Sequence, residues 1–111
     1  MIRHVVMWEL HDPAQAGVFR DALLTCAGVV EGMRDYEVAM KSPALPASVD
    51  VCLVASFDDA QALQRYQDHP QHQAVSRRIG PLRKTRHVLD YEVVSAHSPA
   101  DAARSELSLI V

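Results

Sequence analysis

Two stretches of this chain alternate like β-strands yet are apolar in both phases. Residues 2–10 place Ile2, Val6, Trp8 and Leu10 on one side with His4, and Val5 and Met7 on the other. Val49, Val51, Leu53, Ala55 and Phe57 form a second such stretch, with Cys52 and Val54 opposite. Strands of this kind are covered on both faces. The fold must therefore supply two covers for one sheet, and helices packed on a single side supply only one.

The remaining elements follow from spacing. Asp12-Pro13 reads as a helix start, a side-chain acceptor followed by Pro at the first helical position. Phe19, Ala22, Leu23, Cys26, Val30 and Met33 recur at helical intervals, and Gly28 or Gly32 is expected to end the regular part. Tyr36, Val38 and Met40 alternate with Asp35 and Glu37, a strand over 34–41 with one wet face. Pro43 and Pro46 make 42–48 a loop. Asp58 or Asp59 caps a helix through Tyr66, and a second helical piece runs from Pro70 to about Leu82. His87, Leu89, Tyr91 and Val93 then alternate with Arg86, Asp90 and Glu92 in a last strand. The order is β-α-β-β-α-β. Right-handed crossovers turn it into an α+β, ferredoxin-like fold, a four-stranded antiparallel sheet with its helices on one face.

At 111 residues the chain holds one core, assigned to residues 1–94. Residues 95–111 form a tail that either starts a short helix at Ser98-Pro99 or crosses to a partner as an arm. The sheet face away from the helices measures roughly 300 Å² before side-chain relief, near the largest apolar patch a monomer leaves exposed. A homodimer with these faces paired is the expectation.

The net charge of −3 argues against general nucleic-acid binding. No apolar run reaches the roughly 20 residues that span a bilayer, and the start does not read as a signal peptide, so a cytoplasmic location is the default. Cys26 and Cys52 are expected to be reduced core thiols, and no spaced Cys/His framework for zinc exists. The basic run Arg77, Arg78, Arg83, Lys84 and Arg86 has two readings, a solvated face or an anion-attracting rim beside a pocket.

Tyr66-Gln67-Asp68-His69-Pro70-Gln71-His72 gathers a phenol and two imidazoles at a helix junction. Pro70 restrains His69 from helical geometry and opens a new helix. From His72, the positions three, seven and ten residues on are Val75, Ile79 and Leu82, so His72 shares the apolar face. An imidazole there is a structural hydrogen-bonding group, an acid/base, or a metal ligand. His69 reads as a cap or a ligand contact, and Tyr66 as a core phenol or a partner of His72. His4 is either core or lining of the same cavity, and Trp8 either core or a stacking surface. Metal binding would need His4, His69 and His72 to converge, which Pro70 disfavours, so no metal and no cofactor is expected. With 4 Gly residues and no GxG pair, no phosphate-cradling loop is present.

The chain closely resembles the stress-responsive dimeric α/β-barrel family. The matching pieces are Met1-Ile2-Arg3-His4-Val5-Val6, Phe57-Asp58, the 66–72 junction, and Leu89-Asp90-Tyr91, which together cover residues 1 to about 94. The resemblance implies a homodimer whose two sheets form a central barrel, with a pocket in each protomer between helices and sheet. Members with an assigned activity look like polyketide cyclases, and related folds include haem-degrading and quinol-forming monooxygenases. Carried over by position, the cyclase roles give His72 as base, Tyr66 as its hydrogen-bonding partner and His4 as pocket lining. A further His on the third strand is absent, since Val49-Asp50-Val51-Cys52 holds none. Two functions therefore compete. One is a pocket for a small apolar or aromatic molecule, lined by His72, Tyr66, His4, Trp8 and His69, with cofactor-free acid/base chemistry. The other is a non-catalytic, stress-related or ligand-sequestering dimer. A haem- or metal-dependent monooxygenase is a third.

Overall fold

The computed structural model describes residues 1–94; the tail and both readings of it lie outside the described residues. The elements are β1 (Ile2–Leu10), α1 (Ala16–Leu24), β2 (Met33–Met40), β3 (Val51–Phe57), α2 (Ala60–Asp68), α3 (Pro70–Ile79) and β4 (Arg83–Glu92). The sheet runs β2-β3-β1-β4, all neighbours antiparallel. Each βαβ unit thus skips one strand, the split arrangement expected from the element order. Among the described residues no helix is long and apolar enough to cross a membrane.

The inner phase of β1 (Val6, Trp8, Leu10) and of β3 (Val51, Leu53, Ala55, Phe57) is buried under Phe19, Leu23, Leu63, Tyr66, Val75 and Ile79 of the helices. The outer phase carries Val5, Met7, Cys52, Val54, Leu89 and Tyr91, of which Met7, Leu89 and Tyr91 are exposed. Cys52 is half-buried on that outer face, whereas Cys26 is fully buried. Both thiols are free, and burial raises their pKa.

The first helix is shorter than its apolar spacing implies. Asp12 does cap the entry, accepting from the Ala14 amide, but α1 ends at Leu24, before Gly28. The Thr25 hydroxyl bonds the Ala22 carbonyl at 2.6 Å, and the amides of Thr25, Cys26 and Ala27 reach back only three residues. That tightened turn ends the helix, Gly28 reverses it at φ +75°, and Met33 already belongs to β2. Gly32, at φ +88°, also lies under α2, where a Cβ would sit 3.0 Å from that of Ala62. Only glycine meets both demands.

Two features at one end of the sheet set the site's frame. Asp50, almost fully buried, accepts the Leu10 amide at 2.8 Å and lies 3.2 Å from the Lys41 ammonium. The amide bond, with help from Lys41, holds its carboxyl below the usual range. The second feature is a β-bulge. Trp8 pairs with Arg86 and Glu9 with Thr85, but Leu10 pairs with Arg83, which leaves Lys84 as the extra residue. The Thr85 hydroxyl accepts from the Glu9 amide at 3.3 Å beside it.

Candidate functional site

Between the inner sheet face and the helices lies a cavity of about 70 Å³. β1 contributes His4, Val6 and Trp8, α1 Phe19 and Leu23, α2 Tyr66, and α3 His72, Ser76 and Ile79. Arg83 and Arg86 of β4 stand at its mouth with Gly80. The volume is well below the roughly 150 Å³ of a cavity that takes up benzene. The enclosed space is therefore smaller than an aromatic ring needs, and any larger group would remain at the mouth.

His4 is 2% exposed. Its Nδ1 is hydrogen-bonded to the Asp90 carboxylate, directly across the β1–β4 ladder. A carboxylate only accepts, so Nδ1 carries the proton. The bond fixes the ring's orientation and leaves Nε2 as its remaining proton site.

Tyr66 is fully buried, and its ring stands between the two imidazoles. Its centroid is 4.7 Å from that of His72 and 6.3 Å from that of His4, edge-on to both. Its hydroxyl points elsewhere. The Tyr36 hydroxyl donates to the Leu23 carbonyl at 2.8 Å, so Tyr66 must donate to Tyr36, 2.9 Å away. Burial pushes the Tyr66 phenol up to about 12 and that of Tyr36 higher still. Neither ionises near neutrality, and the Tyr66 proton is committed to this relay.

His72 is half-buried on α3, on the face of the buried Val75 and Ile79 that the spacing predicts. Among the described residues its Nδ1 is the buried side-chain nitrogen or oxygen with no hydrogen-bond partner. Burial lowers the pKa of the ring, the Gln67 carbonyl opposes this, and the charges of His4, Arg86 and His69 lower it further. The imidazole is therefore neutral at physiological pH, with an unengaged nitrogen beside the cavity. Unfolding restores an ordinary pKa near 6.5, so below that pH the unfolded chain takes up the proton first and stability falls. Urea midpoints at about pH 7.5 and about pH 5.5 should thus differ more for the wild type than for His72→Gln. Equal losses would show that His72 is not the group responsible.

His69 takes a different place. It is the extended residue before Pro70, its amide closes α2 on the Tyr66 carbonyl, and its Nδ1 accepts from the Gln71 amide at 3.0 Å as the cap of α3. It does not line the cavity. Trp8 does, with its ring edge-on to Phe19 at 5.0 Å. The structure thus brings four of the five sequence candidates together and leaves His69 at the junction. No group of three or more His, Cys, Asp or Glu converges as a metal site among the described residues.

Sequence reasoning did not find Asp90 as the partner of His4, or Tyr36 as the partner of Tyr66. Both pairings cross between elements, and only the register reveals them. The one available signal was the polar inner phase of β4, Arg86, Asp90 and Glu92, on a strand whose other phase is apolar.

A split βαβ domain with imidazoles in a cavity between helices and sheet defines the class. The chain belongs to the stress responsive A/B barrel domain family, whose model matches residues 2–93. It is 39% identical over 83 residues to an uncharacterized protein of Streptomyces coelicolor, covering 67% of this chain and 81% of that one. Among solved structures, it is similar to a dimeric ferredoxin-like protein of unknown function from Thermobifida fusca. That match has a TM-score of 0.72 at 25% identity and covers 81% of this chain and 88% of that one. A protein of the same family with a ferredoxin-like fold from Mesorhizobium loti matches with a TM-score of 0.67 at 26% identity, covering 85% and 97%.

Proposed function

We propose that the cavity receives the reacting end of a small apolar or aromatic molecule and that His72 moves a proton on it without a cofactor. The observation that carries this reading is the buried, unpartnered Nδ1 of His72 beside a cavity it shares with His4. An orphaned buried nitrogen costs stability unless something else engages it, and a bound ligand would do so. In this reading His72 takes a proton from carbon or oxygen, as a cyclisation or isomerisation requires. His4, oriented by Asp90, holds Nε2 for a second proton on the same molecule. Tyr66 positions both rings through its edges and its relay to Tyr36.

The working unit of the proposal is a homodimer that pairs the outer sheet faces. The apolar outer phase around Val5, Val54 and Leu89 supports it, as does the dimeric neighbour from Thermobifida fusca. A part in stress responses rests on the family's description alone.

The chain's one tryptophan, Trp8, lies in the cavity wall, so ligand entry is readable as a change in its fluorescence. The neutral probe 5-nitrobenzisoxazole opens by loss of one C–H proton to a base, with a visible product. Saturable Trp8 quenching together with turnover falling roughly 10²–10⁴-fold in His72→Ala is expected. Quenching with turnover unchanged by the substitution would sink the base assignment and favour the sequestering reading. No quenching would sink the pocket itself.

A further inference from the structure

The strand that closes the cavity mouth breaks its own alternation. Arg83 and Arg86 are three residues apart, and in a regular strand they would face opposite sides of the sheet. The bulge at Lys84 inserts one residue between them, so Arg83 pairs with Leu10 and Arg86 with Trp8, both inner-phase positions. Bulges re-aim side chains in this way beside functional sites. Both arginines consequently stand at the cavity mouth, whereas Arg77 and Arg78 of the same basic run do not line it.

Neither guanidinium has an ion-pair or hydrogen-bond partner among the described residues. Among the described residues the ion pairs are His4–Asp90, Arg20–Asp21, Arg34–Asp58, Lys41–Asp50 and Lys84–Glu9. Asp90, on the same inner phase of β4, is held by His4, and among the described residues no carboxylate lines the cavity. The Arg86 charge is felt inside, where it acts on His72. Space is also available. Gly80 borders the mouth at an ordinary helical φ, and a Cβ there would meet no atom within 4 Å. A chain with net charge −3 thus presents a locally cationic entrance to a chamber lined by both apolar side chains and imidazoles.

We infer that the ligand is an organic carboxylate with an apolar or aromatic body that rests at the mouth, where Arg83 and Arg86 hold the carboxylate, and that only its reacting end is directed toward the imidazoles. Arginine suits the role because its fork offers two parallel N–H donors to one carboxylate. The inference rests on the cavity reading above and adds the substrate class to it.

Benzoate and benzamide share the ring and nearly the same size but differ in charge and in one acceptor oxygen replaced by a donor NH2, and serve as probes, with Trp8 fluorescence as the readout. Benzoate should bind about tenfold more tightly than benzamide, and Arg83→Gln or Arg86→Gln should each remove most of that advantage. Benzamide binding should be unchanged in both variants, and added salt should weaken benzoate only. Equal binding of the two probes, no saturable benzoate binding, or full displacement of benzoate by equimolar inorganic phosphate would overturn the inference. His72→Ala, which lacks the base but keeps both arginines, should still bind benzoate more tightly than benzamide while losing 5-nitrobenzisoxazole turnover. Failure of the carboxylate site and failure of the base are thereby separated.

Discussion

Val54→Asp is expected to leave each protomer folded and to convert the proposed homodimer into a monomer at micromolar concentrations. Val54 occupies the outer phase of β3, paired with Val5 on one side and Glu37 on the other, and Val5 pairs in turn with Leu89. It therefore lies within the apolar band that the dimer must cover. An unpaired carboxylate in that band loses its hydration, and a two-fold interface buries two of them. Leaving a buried charge uncompensated costs about 3–5 kcal/mol, which raises the dissociation constant by a factor of about 10³ or more for two such charges. Glu37 across the ladder adds like-charge repulsion. In the protomer alone the position faces water, so thermal unfolding of the monomer should stay cooperative. Sedimentation velocity provides the check. A persisting dimer of the variant would mean that protomers associate through another surface.

Tyr66 carries the second large effect, and two substitutions there separate its roles. Tyr66→Ala removes a fully buried ring that touches His4, Tyr36, Phe57 and His72. The cavity left behind should cost about 3–5 kcal/mol, a large part of a small domain's stability. Tyr66→Phe keeps the ring and loses only the bond to Tyr36, whose own hydroxyl still donates to the Leu23 carbonyl, so about 0.5–1.5 kcal/mol is expected. Denaturant unfolding measures both. If 5-nitrobenzisoxazole turnover survives in Tyr66→Phe, the phenol acts through packing. A collapse of turnover with stability retained would instead place the hydroxyl in the chemistry.

The sheet, its element order and the inner position of His4 were legible in the sequence, because period-two and period-3.6 patterns are local. The helix junction was legible for the same reason: Pro70 dictates the conformation of His69, and His72 is then fixed by counting. The end of α1 was not. Val30 and Met33 continue the helical spacing only by coincidence, and a hydroxyl-to-carbonyl bond at Thr25 ends the helix where no periodicity changes. Which phase of the last strand faces the helices was not legible either. His87, Leu89 and Tyr91 form its apolar phase, but that phase faces outward. The inner phase holds Arg86 and Asp90, the two β4 groups that bear most directly on the imidazoles. Register decides such matters, and one extra residue at Lys84 resets it.

The inner edge of β4 has a consequence beyond the cavity. Among the described residues β4 is an edge strand, and its side away from β1 offers amides and carbonyls on which another extended chain could grow. Arg83, Arg86, Asp90 and Glu92, together with the bulge, make that margin charged and uneven. The same charges that equip the entrance therefore guard the chain against edge-to-edge aggregation. Drift at these positions is constrained twice, because a neutral replacement exposes a sticky margin even where the chemistry could spare the charge.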